Sequence, residues 1–157
     1  MTGKPNIVDV TALPAKQGST SYPAEFRAEV AGRHRQVLGD SVGLTHFGVA
    51  RVRLEPGARS ALRHWHERED EFVLLLEGEL VLLTDAGETV LKAGMAAGFP
   101  AGRSDGHCLI NRSSRDAVYL EIGDRQPGDV ARYPDHDLVA TEQGDRRHFT
   151  RRDGTPY

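Results

Sequence analysis

Across residues 43–124 the apolar positions come in short runs cut by turn formers. The runs LTHFGVARVRL, SALRHWH, EFVLLL, LVLL, ETVL, HCLI and AVYLEI are divided by EPGAR, ERED, EGE, TDAG, KAG and NRSSRD. No helical period competes there, so the pattern predicts seven or eight brief strands with tight turns, the mark of an all-β barrel or sandwich. Residues 72–76 and 80–83 are apolar at every position. A barrel wall wetted on one side alternates polar and apolar residues. Continuous runs therefore predict a covered outer face, either under the chain's own ends or under a second subunit, and a homodimer is the expectation.

The flanks read differently. Residues 1–42 hold Pro5, Pro14, Gly18 and a Ser-Thr-Ser run, with only residues 7–10 (IVDV) resembling a strand. This segment is expected to be an arm that protects an open sheet edge. Residues 22–40 give a weak amphipathic signal that fits a short helix or an irregular wrap. Residues 125–157 are polar, with Leu138-Val139 as their apolar anchor, and are expected to wrap the barrel.

Candidate chemistry gathers in two places. His64 and His66 are two residues apart, which in a strand turns both imidazoles to one face and suits two ligands of one metal ion. Glu71 lies at an odd offset from His66, so it can join them only after a chain reversal. The charged Glu67-Arg68-Glu69-Asp70 stretch is the loop expected to make it. His107, opening a later apolar run, is the fourth candidate ligand. Three imidazoles and one carboxylate suit a divalent transition metal such as Zn, Fe, Mn or Ni, and affinity alone does not choose between them.

Other residues read more plainly. Trp65 should face away from the two histidines and pack on the outer sheet. Cys108, the single cysteine, reads as a buried apolar thiol. His34 between two arginines and His136 between two aspartates suit a charge cluster and a turn. His46, Arg103 and Asp105 are secondary candidates for the barrel interior and its mouth. The arginine-rich 146–152 stretch could take phosphate, although Asp145 and Asp153 make a solvated charge cluster the plainer reading.

The two segments resemble the paired motifs of the cupin superfamily. The first motif is met by His64, Trp65, His66, Glu71 and Gly78 at every spacing, with Gly57 one residue further upstream than usual. The second is met by Gly94, Pro100, Gly102, His107 and Asn111, with four residues rather than two between Gly102 and His107. The resemblance covers residues 43–124. It implies a double-stranded β-helix (jelly-roll) barrel with irregular N- and C-terminal arms, and a metal held by His64, His66, Glu71 and His107. One such barrel hosts many chemistries.

Composition narrows the field. A chain of 157 residues suits one domain. A net charge of -3 with pI ≈ 6.2 argues against a dedicated nucleic-acid binder. Mean hydropathy of -0.48 without a long apolar run argues against a membrane span, and the amino terminus lacks a signal-peptide pattern, so a cytoplasmic protein is expected. The expected function is a metal-dependent enzyme on a small oxygenated metabolite, isomerase-like on a sugar phosphate or dioxygenase-like. The alternative is a non-catalytic cupin that binds or senses a small ligand.

Overall fold

The computed structural model describes residues 6–144 and 146–157. Residues 1–5 of the expected N-terminal arm, and Asp145 of the expected charge cluster, lie outside the described residues. Eight strands fill the region read as the barrel: β3 (Phe47–Leu54), β4 (Trp65–His66), β5 (Glu71–Glu77), β6 (Glu79–Thr84), β7 (Gly87–Lys92), β8 (Ala96–Phe99), β9 (Cys108–Ile110) and β10 (Ala117–Asp124). Before them come β1 (Lys16–Gln17), a 3-10 helix (Ala24–Val30), β2 (Arg33–Val37) and a one-turn helix (Leu38–Ser41). After them come β11 (Val130–Tyr133), β12 (Leu138–Gln143) and β13 (Arg146–Thr150). None of the described helices is long and apolar enough to cross a membrane.

A six-stranded sheet, ordered β1-β2-β3-β10-β5-β8, faces a three-stranded sheet, β7-β6-β9. Alternation sends Ala50, Val52 and Leu54 of β3 and Val73 and Leu75 of β5 inward, where they meet Leu80, Leu91 and Leu109 of the smaller sheet. This is the all-β barrel expected from the strand pattern, in the double-stranded β-helix form that the resemblance implies. At the β5–β6 hairpin only glycine fits position 78. Its φ is +80°, and a Cβ there would lie 2.8 Å from the Asp116 carbonyl oxygen. Buried Asn111 ties the β9 end to the sheet, donating to the carbonyls of Leu54 (2.9 Å) and Arg115 (2.7 Å) and accepting from the Ser113 backbone N–H (3.0 Å).

Two local expectations change. Residues 7–10 form no strand, because the Asp9 side chain accepts from both the backbone N–H and the hydroxyl of Thr11 and curls the chain into a turn. The polar tail is more regular than a wrap. β11, β12 and β13 form a meander that adds β4 to give a four-stranded sheet, with Ala131 opposite His66 and Arg132 opposite Trp65. Ala131, Tyr133, Leu138 and Ala140 of this sheet close over Tyr22, Val30 and Leu62 as a second core, with Phe26 and Phe149 packed against it.

The expected cover on β5 does not come from the chain's own ends among the described residues. Phe72 and Leu76 are 42% and 40% exposed, as is Phe47 on β3 (42%). Ile122 lies between Val49 and Phe72 in the sheet register, and Leu120 between Arg51 and Leu74, so the outer face is largely apolar.

Candidate functional site

The four residues singled out from the sequence meet at one end of the barrel. His64 and His107 form an isolated antiparallel bridge, donating to each other's carbonyls at 3.1 and 2.8 Å, and β4 follows at once with His66. The two extra residues before His107 are absorbed in the 101–106 loop, so the strand register is kept. Gly102 there has φ +74° and donates to the His66 carbonyl at 2.9 Å. Glu71 heads β5 opposite Phe99 and Gly123. Its Oε2 lies 2.8 Å from His107 Nε2 and 3.6 Å from the Nε2 atoms of both His64 and His66.

The far side of each ring sets its proton. His66 Nδ1–H donates to Asp129 Oδ2 at 2.5 Å, and His64 Nδ1–H to the Leu62 carbonyl at 2.7 Å. Both Nε2 atoms are therefore left with lone pairs directed at Glu71. His107 differs, because its Nε2–H donates to Glu71 while its buried Nδ1 has no partner among the described residues. Phe99 stacks flat on the His107 ring (3.6 Å, 3°), and Tyr133 lies against His64 (5.7 Å, 28°). Glu71 is held well below the ordinary carboxylate value although burial opposes this, because His107 donates to it and the His64 and His66 rings lie beside it.

Donor atoms of His64, His66 and Glu71 lie within 4.8 Å of one another, and His107 joins them through Glu71. The set fits a divalent metal by its chemistry. Two histidines already present bare Nε2 atoms, and the third has a free Nδ1 to receive the proton it must give up.

Two carboxylates complete the surroundings, and neither was singled out from the sequence. Asp129 is 1% exposed, and its other oxygen accepts from the Arg68 backbone N–H at 2.9 Å. Its carboxyl is lowered against burial by the His66 bond. Glu69, read as part of a solvated loop, is 9% exposed, with Oε2 3.8 Å from His66 Nδ1. Burial, with Asp129 beside it, pushes Glu69 up to about 7. The signal for Asp129 lay in the QPGD turn before β11, but nothing in the sequence links that turn to His66. His66 is raised by Asp129 and Glu71 against the effect of its burial.

A cleft of about 1070 Å³ opens onto the quartet. A smaller cavity of about 60 Å³ lies beside it, lined by Trp65, Pro100, Arg103 and Asp105. Arg103 and Asp105 line this cavity, and Trp65 borders it rather than only packing a sheet. Cys108 is buried, and burial pushes its thiol up. His34 pairs with Glu55 (2.7 Å), His136 meets the Phe26 ring edge-on, and His46 is exposed, so none of the three joins the quartet.

The family profile described as "Cupin domain" matches residues 50–123. Among curated proteins no match is found. A crystal structure of a sugar phosphate isomerase from the cupin superfamily of Silicibacter pomeroyi is 42% identical, covers 96% of each chain and superposes with a TM-score of 0.92. A second structure, provisionally named a sugar phosphate isomerase, from Acidithiobacillus ferrooxidans, is 24% identical over 98% of this chain and 96% of its own, with a TM-score of 0.81. A predicted oxalate decarboxylase from Thermotoga maritima is 20% identical over 76% of this chain and 99% of its own, with a TM-score of 0.62. The last two bear on the fold alone.

Proposed function

The chain belongs to the cupin superfamily, and on that premise we propose that it is a metal-dependent isomerase acting on a small phosphorylated sugar. The observation that carries this reading is the meeting of His64, His66, Glu71 and His107 around one carboxylate oxygen at the edge of a cleft large enough for such a substrate. The likeness to the 42% identical Silicibacter pomeroyi protein supports it.

His64, His66, Glu71 and His107 would hold the ion, which when bound polarises a carbonyl and a neighbouring hydroxyl of the substrate. The chain's own part is orientation and proton transfer. Asp129 and the Leu62 carbonyl fix the rings of His66 and His64, and Phe99 and Tyr133 wall the site with apolar surface. Glu69 lines the cleft too, and burial pushes its carboxyl up to about 7. That suits it to take a proton at Oε2 from one carbon-bound position and return it to the next.

The test is a panel of phosphorylated aldoses and ketoses assayed with protein loaded in turn with Zn, Mn, Fe and Ni. Interconversion that a chelator abolishes and a divalent ion restores is expected. Tight binding of a ligand without turnover would instead favour a sensor, and metal-dependent oxygen uptake an oxygenase.

The same proposal extends to assembly. The apolar outer face around Phe47, Phe72 and Leu76 supports a homodimer packed sheet to sheet. Sedimentation at micromolar concentration is expected to give twice the chain mass, and Phe72→Glu to give a monomer. A monomeric wild-type chain would contradict this arrangement.

A further inference from the structure

The cleft wall furthest in sequence from the quartet is built from the N-terminal arm and β2, and its composition is unlike the rest of the barrel interior. In the six-stranded sheet Arg33 pairs with Leu54 and Arg35 with Val52, both of which point inward and are fully buried. Lys16 pairs with Arg35 on the other side. Side chains level with one another across a sheet share a face. Three cations therefore continue the inward-facing rows of the barrel, and all three line the cleft.

Among the described residues only Arg35 of these three cations has a carboxylate partner. Arg35 donates through Nε and Nη2 to Glu121 at 3.1 and 2.9 Å. Arg33 donates only to neutral carbonyls, Nη1 to Ser60 (2.5 Å) and Nη2 to Ser19 (2.7 Å), and its buried Nε has no partner among the described residues. A half-buried guanidinium fixed by two carbonyls is a rigid charge with no anion of its own. In the row of Arg35 and Val52, the Tyr119 hydroxyl, on a side chain 1% exposed that also lines the cleft, likewise has no partner among the described residues.

Hydroxyls line the same cleft. Gly18, with φ +59°, turns the chain so that Ser19, Thr20 and Ser21 all line the cleft. Thr20 Oγ1 accepts from the Tyr22 backbone N–H at 3.1 Å, which leaves its own proton free to donate. Inward charges on strands near a sheet edge can serve only to block unwanted pairing. That role needs neither a guanidinium clamped by two carbonyls nor a run of three hydroxyls facing the same space.

We propose that Lys16, Ser19, Thr20, Ser21, Arg33 and Arg35 form a subsite for the phosphoryl group of the substrate. The inference rests on the isomerase reading for its substrate class and adds the residues that recognise the charged end. Ser60, whose carbonyl anchors Arg33, lies four residues before His64 on the same segment, so the subsite and the quartet share one short stretch of chain. A dianion with three acceptor oxygens matches a set of cations and hydroxyl donors better than a carboxylate would.

Calorimetric titration of the full-length protein with inorganic phosphate tests the assignment without any need for turnover. Wild-type protein and His64→Ala are expected to bind phosphate alike. Arg33→Gln is expected to weaken binding by about tenfold or more and Lys16→Gln by a few-fold, with a shallower salt dependence. Arg33→Gln also loses two backbone anchors, so exposed Lys16 and Ser21→Ala keep the test independent of folding. Arg112→Gln, outside the cleft, serves as the unaffected control. No phosphate binding by wild-type protein, or affinity unchanged from wild type in both Arg33→Gln and Lys16→Gln, overturns the subsite. Phosphate binding that depends on these residues in a protein that interconverts no sugar phosphate would overturn the isomerase reading and leave the subsite standing.

Discussion

Glu71→Gln is expected to lower metal affinity by on the order of 100-fold or more, with the fold intact. The side chain keeps its shape, so packing at the head of β5 is unchanged. What is lost is the only anion among the four candidate ligands, and the group on which three imidazole nitrogens converge at 2.8, 3.6 and 3.6 Å. The glutamine amide can still accept from His107, but it cannot offset the charge of a divalent ion. Metal content measured after equilibration with Zn, Mn, Fe and Ni, alongside thermal melts of both proteins, checks this. Unchanged occupancy would rule out carboxylate coordination.

Asp129→Asn is expected to cost about 10- to 100-fold in metal affinity, although Asp129 is not among the four candidate ligands. Its carboxylate holds the proton of His66 on Nδ1 and so keeps Nε2 bare. Asparagine accepts more weakly and can turn its NH2 toward the ring. The same substitution changes how chelator-treated protein responds to pH. Glu69 binds its proton more tightly in the folded chain, so between its ordinary 4.5 and about 7 the folded state holds more protons than the unfolded state. Stability therefore falls as pH rises through that window. His66, also raised, acts in the same direction. The groups facing Glu69 are Asp129, His66, Glu142 and the Gln126 backbone N–H. Removing the Asp129 charge takes away a cause of both shifts, so the slope should flatten. Denaturation midpoints from about pH 5 to about pH 8 measure it, and an unchanged slope would mean that Asp129 does not set these values.

The strands of the barrel and the quartet were legible because each rests on a local rule. Short apolar runs bounded by turn formers gave β3 and β5, and the H-x-H spacing put two imidazoles on one face. Gly78 marked where the chain must turn. What escaped was long-range. Glu69 sits in ERED, which looks solvated, and it is buried only because the turn before β11 returns over it to bring Asp129 and Gln126. The alternation of Ala131 with Tyr133 and of Leu138 with Ala140 was present but sat among enough charge to read as a tail. Its partners, Tyr22, Val30 and Leu62, lie in segments distant along the sequence. The cationic wall was missed for the same reason, since strand register shows that Arg33 and Arg35 face inward and sequence alone does not.

The pairing of β11 with β4 has a consequence for biosynthesis. A nascent chain emerges amino end first, so His64, His66, Glu71 and His107 leave the ribosome before Asp129 does. Until residues 129–133 follow, the His66 imidazole has no anchor for its proton and Glu69 stays in water. A metal site built on the quartet would therefore reach full strength only after this later stretch has emerged, which would place the choice of metal late in synthesis.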